Sequence, residues 1–142
     1  MKIPVSLDPD ATLPSYATDG AAGLDLRSTA EVELRPLERK LVPTGVRMAI
    51  PAGFEGQVRP RSGLALKRGV GMVNAPGTID SDYRGEIGVI LINLSDSVVK
   101  LEKGERIAQL VICPVTRVEL TISDDLDETD RGEGGFGSTG TH

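Results

Sequence analysis

Apolar and polar residues alternate in short runs along most of this chain: Ile3 to Leu7, Leu24 to Arg27, Val32 to Leu34, Leu41 to Ile50, Gly56 to Val58, Ile87 to Leu94, Val98 to Leu101, Arg106 to Cys113 and Val118 to Ile122. A period of two, rich in β-branched residues, is the pattern of a strand with one buried face. Turn-forming pieces such as Asp19-Gly20, Pro51-Ala52-Gly53, Ala75-Pro76-Gly77 and Lys103-Gly104 separate the runs. Many short strands at this spacing predict an all-β sandwich or barrel. The one helical candidate is Ser62 to Arg68, two turns at most. Ile87-Gly88-Val89-Ile90-Leu91-Ile92 is apolar on both faces, so that strand is expected to be covered on both sides, with another copy of the chain as one source of the second cover.

With 142 residues the chain fits one domain. A chain this long buries roughly 70% of the surface its unfolded form exposes, enough for a core without staples. Aromatics are few, Tyr16, Tyr83, Phe54 and Phe136 with no Trp, which leaves the core to Val, Ile and Leu. The single cysteine, Cys113, cannot form an internal disulfide, and Met1-Lys2-Ile3-Pro4 does not open a long apolar run, so a reducing cytoplasm is expected. No stretch is apolar for the length a bilayer requires, and no membrane partner is expected. The net charge of −5 resides in residues 123–142, which carry six acids against one base, Arg131. The rest of the chain is neutral and offers no field for long DNA or RNA.

That acidic segment loses periodicity after Ile122 and ends in Arg131-Gly132-Glu133-Gly134-Gly135-Phe136-Gly137-Ser138-Thr139-Gly140. Such composition alone is that of a disordered extension. An Arg, a Phe and a Ser-Thr pair set among the glycines are more than a linker needs.

The only histidine, His142, is the last residue, a poor place for a general base, which removes Ser-His-Asp and Cys-His catalysis. One Cys and one His also remove an ordinary zinc site within one chain. Carboxylates remain for proton chemistry, and for metals a hard, oxygen-bound ion such as Mg²⁺. Phosphate binding calls for backbone N–H groups, hydroxyls and guanidinium forks together. Arg59-Pro60-Arg61-Ser62-Gly63 and the glycine-rich C-terminal segment have that makeup, and no Walker sequence is present. Asn74 to Gly85 reads as two strands joined through a tight polar hairpin, with Asp80 between Ile79 and the turn. Asp80 there is either a carboxylate held toward a pocket or an Asx-type residue satisfying local backbone.

Five segments in order, Ala21-Ala22-Gly23-Leu24-Asp25-Leu26, Pro60-Arg61-Ser62-Gly63-Leu64-Ala65, Gly77-Thr78-Ile79-Asp80-Ser81-Asp82-Tyr83-Arg84-Gly85, Gly104-Glu105-Arg106-Ile107-Ala108-Gln109-Leu110 and Arg131 to Gly140, span nearly the whole chain. Together they closely resemble the five motifs of the trimeric deoxyuridine triphosphate diphosphatases. The resemblance implies a jelly-roll β-barrel of the β-clip type over residues 1–122 and a mobile C-terminal arm over 123–142, exchanged within a homotrimer whose sites draw on all three chains. It implies hydrolysis of dUTP to dUMP and pyrophosphate with Mg²⁺, which limits uracil in DNA and supplies dUMP for dTMP synthesis. By this resemblance Asp80 would activate the attacking water, Asp25 would hold Mg²⁺ through water, and Arg61, Ser62, Gly63 and Gln109 would bind phosphates. Asn74 and the backbone near Thr78, Ile79 and Gly88 would read the uracil edge, and Tyr83 would exclude a 2′-hydroxyl. Phe136 would stack on the base while Arg131, Gly137, Ser138 and Thr139 close over the γ-phosphate. The related dCTP deaminases use a Glu in the strand after the hairpin, where this chain has Val89-Ile90-Leu91-Ile92. A non-catalytic nucleotide sensor on the same barrel is the alternative from another class, and Asp25, Asp80 and the complete arm segment speak against it.

Overall fold

The computed structural model describes residues 1–136 and residue 138, in which twelve strands and one helix form. The largest sheet has the order β2-β3-β12-β7-β9, built from β2 (Ser15–Tyr16), β3 (Leu24–Arg27), β12 (Arg106–Pro114), β7 (Phe54–Arg59) and β9 (Gly77–Ile79). A second sheet sets β10 (Val89–Asn93) between β5 (Arg39–Val42) and β8 (Val70–Met72). Two strand pairs complete the set, β1 (Val5–Leu7) with β6 (Val46–Met48) and β4 (Val32–Leu34) with β11 (Val99–Leu101). All pairings are antiparallel.

Every sheet sends side chains to one core: Leu26 and Leu110 from the first, Val42, Val89 and Leu91 from the second, Met48, Leu34 and Leu101 from the pairs. Each fully buried aliphatic side chain contributes about 1.5–3 kcal/mol relative to exposure, which is why a core with so few aromatics suffices. The helix, α1 (Ser62–Arg68), lies where the sequence predicts it and packs Leu64 onto this core.

Within one chain β10 is covered on one of its two faces, and the second cover expected of it would come from another copy. Val89, Leu91 and Asn93 face the core, while Ile90 and Ile92 on the other side are only half-buried. Ile90 pairs with Leu41 of β5, and Leu41, Val73 and Leu94 are 69%, 55% and 63% exposed. The result is an open apolar face on one side of the three-stranded sheet.

Three expectations are corrected. Leu41 to Ile50 is two strands, β5 and β6, because Pro43 and a left-handed Gly45 break the ladder between them. The second strand of the Asn74–Gly85 hairpin does not form: β9 ends at Ile79 and pairing resumes only at Val89. Val118 to Ile122 makes no ladder among the described residues, although Val118, Leu120 and Ile122 keep their alternation and are exposed. A strand needs a neighbour, and the described residues place none beside this one.

Candidate active site

One group of polar residues collects at an end of the large sheet. Gln109 of β12 stands opposite Asp25 of β3 on one side and Arg59 of β7 on the other. The chain leaves β7 and turns into α1 through Pro60 and Arg61, which puts Arg61, Ser62 and Gly63 beside that pair. With Ala21, Ala22, Gly23 and Arg106 they line a cavity of about 310 Å³. A carboxylate organises it: Arg106 Nη1 donates to Asp25 Oδ2 at 3.0 Å, and Arg61 Nε lies 3.5 Å from Asp25 Oδ1. Arg61 Nη1 donates to the Arg106 carbonyl at 3.0 Å, and Gln109 Nε2 to the Pro60 carbonyl at 3.2 Å. Gly23 lets Gln109 lie close over the backbone, since a Cβ there would sit 2.7 Å from Gln109 Oε1 and displace the carboxamide. Two guanidinium groups, a hydroxyl and a carboxamide around one cavity make a receptor for a multiply charged anion.

A second cavity, of about 710 Å³, opens beside the hairpin and is lined by Leu41, Pro43, Thr78, Ile79, Asp80, Tyr83, Glu86, Gly88 and Ile90. The β9–β7 ladder, with Ile79 opposite Gly56, fixes the start of this segment. The turn that follows is closed by the Tyr83 N–H donating to the main-chain carbonyl of Asp80 at 3.2 Å. The turn thus uses the Asp80 backbone and leaves its carboxylate exposed, and Asp80 lines both this cavity and a neighbouring one beside Phe54 and Glu55. Tyr83 folds its ring over Gly85, where a Cβ would fall 2.3 Å from the phenol oxygen, and its hydroxyl donates to the Glu86 carbonyl at 2.9 Å. The Gly88 N–H is turned to the same carbonyl at 3.1 Å. Asn74 is exposed beside Gly77 and does not line the cavity. Behind Glu86 stands Arg47, whose guanidinium pKa is pushed up first by its 2.7 Å hydrogen bond to Asp8, with smaller contributions from the charges of Glu86 and Tyr83.

The two cavities do not meet within one chain. Asp80 follows Ile79 and therefore sits at the Phe54–Glu55 end of β7, whereas Asp25, Gln109 and Arg61 gather at the Arg59 end. Four residues of strand separate those ends, about 13 Å. Neither cavity is lined by a described residue of the C-terminal segment. There Arg131 Nε donates to the Gly134 carbonyl at 2.7 Å, the Ser138 N–H donates to the Gly135 carbonyl at 2.9 Å, and Phe136 is fully exposed. Gly137 and Thr139, expected in the γ-phosphate clasp, lie outside the described residues, as does His142.

Arg106 and Glu86, and the apolar wall of Leu41 and Ile90, were not singled out from the sequence as site residues. For Arg106 a signal existed: it stands three residues before Gln109 in the fourth motif segment. For Glu86 and Leu41 none did, because their place depends on contacts between β5 and the hairpin.

An all-β domain that gathers arginines around one cavity and sets a carboxylate in a hairpin beside another has the build of a jelly-roll nucleotidohydrolase. A dUTPase family model matches residues 9–140, and the chain belongs to that family. It is 64% identical over 132 residues to the deoxyuridine 5'-triphosphate nucleotidohydrolase of Anaeromyxobacter sp. (strain Fw109-5), covering 93% of this chain and 90% of that one. To the protein of the same name from Hydrogenobaculum sp. (strain Y04AAS1) it is 62% identical, with 92% of each chain covered. The solved structure of the Staphylococcus bacteriophage 80alpha dUTPase with dUPNHPP superposes with a TM-score of 0.91 at 31% identity, covering 98% of both chains.

Proposed function

We propose that this chain is a dUTP diphosphatase that releases dUMP and pyrophosphate, and that its site is completed only in a homotrimer. The observation that carries the reading is the division of labour above: one cavity built for phosphates, one built by the hairpin with Asp80 in its lining. Hydrolysis needs both around one substrate, and one chain holds them about 13 Å apart along β7.

A second copy resolves this. The open apolar face of β10 shares Leu41 and Ile90 with the hairpin cavity, so a neighbour seated on that face comes to rest beside the cavity. Its Arg61, Ser62, Gly63 and Gln109 then hold the phosphates against this chain's Asp80. Residues 1–122 act as the barrel and 123–142 as an arm, with Val118, Leu120 and Ile122 adding as a strand to another subunit. There Arg131, Gly137, Ser138 and Thr139 close on the γ-phosphate and Phe136 covers the base.

In the chemical step the Asp80 carboxylate accepts a proton from a water whose oxygen bonds to the α-phosphorus. The bond from that phosphorus to the bridging oxygen breaks, and pyrophosphate leaves with its electron pair. Asp25 is the one carboxylate of the phosphate-side cavity, and both its oxygens are engaged by arginines. That donor set does not fit a metal cage made by protein; it would suit a Mg²⁺ brought in with the substrate phosphates, which Asp25 would hold through water. Such an ion, when bound, neutralises phosphate charge. Asn74 and the main chain at Thr78, Ile79 and Gly88 select uracil, and Tyr83 lies against the deoxyribose. No described helix is long and apolar enough to cross a membrane, and the lone thiol Cys113 suits a cytoplasmic setting.

Supplying dUTP, dCTP, dTTP and UTP separately with Mg²⁺ tests the reading. Pyrophosphate is expected from dUTP, with the others slower by ~10³-fold or more, since a site of fixed donors and acceptors rejects a mismatched partner strongly. Ammonia released from dCTP, or equal rates with dUTP and UTP, would contradict it.

A further inference from the structure

The segment that bears the hairpin cavity is tied to the barrel in part through a side chain that the proposed mechanism does not use, the carboxylate of Glu86. Between Asp80 and Val89 no strand ladder forms, so the segment bearing Tyr83 and Gly88 depends on other bonds. Those reaching the barrel end on the corner Thr44–Val46. The Ile87 N–H donates to the Val46 carbonyl at 2.8 Å, and Thr44 Oγ1 donates to the Ile87 carbonyl at 2.6 Å. The Thr44 and Gly45 N–H groups both donate to a single oxygen, Glu86 Oε1, at 3.0 and 2.7 Å. The main-chain carbonyl of the same residue accepts the Tyr83 hydroxyl and the Gly88 N–H. Glu86 therefore links the sugar-side phenol and the Gly88 amide to the barrel, beside the two bonds and the buried side chain of Ile87. Asp80 is fixed from the other side, directly after the β9–β7 ladder that ends at its neighbour Ile79.

We infer that Glu86 is a positioning residue for substrate selection: its carboxylate, clamped by the Thr44 and Gly45 amides, sets Tyr83 and Gly88 for the deoxyribose and base. This rests on the dUTP reading above. Glu86 touches no reacting atom, so its loss acts on KM and on selectivity more than on kcat. Both amides meet a single oxygen, so an acceptor at that reach is what the clamp requires. Gln at this position keeps that oxygen, whereas Ala removes it and Asp is one methylene too short to bring it to both amides.

Steady-state kinetics with dUTP and UTP on the full-length protein separate these roles. In E86A and E86D, KM for dUTP rises about tenfold or more and the preference for dUTP over UTP falls by a similar factor, the scale expected from losing two hydrogen bonds. kcat stays within about threefold, and E86Q restores both KM and preference. E86D gives the same readout should E86A not yield soluble protein. An unchanged dUTP/UTP ratio in E86A and E86D, or an E86Q as impaired as they are, overturns the inference. The unsubstituted protein in the same assay keeps the two readings apart: if it shows no preference for dUTP, the substrate assignment has failed and not the role of Glu86.

Discussion

Asp80→Asn is expected to lower kcat for dUTP by ~10²–10⁴, the range for loss of a positioned general base. The substitution keeps shape and removes the capacity to take a proton. Little else should change, because the structure separates the two functions of this residue. Its main-chain carbonyl closes the turn by accepting the Tyr83 N–H, its neighbour Ile79 is fixed opposite Gly56, and the carboxylate itself is exposed. Thermal unfolding and trimer formation should therefore match the parent protein, so that lost turnover reports chemistry. Near-normal kcat in Asp80→Asn would remove this carboxylate from the mechanism and return it to the role of a turn residue.

Ending the chain after Asp130 is expected to cost ~10²-fold or more in kcat/KM while leaving a folded assembly, because arginine and backbone donors closing on the γ-phosphate hold the leaving pyrophosphate in place for attack at the α-phosphorus. Folding should tolerate the cut. Among the described residues none beyond Asp130 belongs to the core, and Phe136 packs on nothing in its own chain. Light scattering on the truncated protein should show the same mass class as the parent, and the strand-like run Val118 to Ile122, which remains, should still join subunits. Full activity in the truncated protein would reduce the segment to an appendage.

The sequence was most legible where local rules decide. Leu24 to Arg27 and Val32 to Leu34 alternate and are strands with those limits, and Ser62 to Arg68, the one helical candidate, is the helix. It was least legible where a partner far along the chain decides. The segment from Ser81 to Gly88 reads as the second arm of a hairpin, yet its bonds go to Thr44 and Gly45, some 42 residues away, through Glu86. Arg106 enters the phosphate-side cavity by its bond to Asp25, 81 residues distant. Val118 to Ile122 has the period of a strand and no ladder among the described residues, since periodicity tells which face is apolar and not whether a neighbour exists within the chain. The open side of β10 is the same case: Ile87 to Ile92 is apolar on both faces, and one chain covers only one of them.

Mixing two inactive variants tests the composite site most directly. Asp80→Asn leaves the phosphate-side arginines intact, and Arg61→Ala leaves Asp80 intact. Each alone should be nearly inactive. Unfolding and refolding them together in equal amounts should produce mixed trimers in which about a quarter of the sites pair an intact Asp80 with an intact Arg61 from the neighbouring subunit, and activity should return to about that fraction of the parent's. If Asp80 and Arg61 of the same chain served one site, no mixed assembly could contain a complete one. A refolded mixture no more active than its parts would then contradict the account.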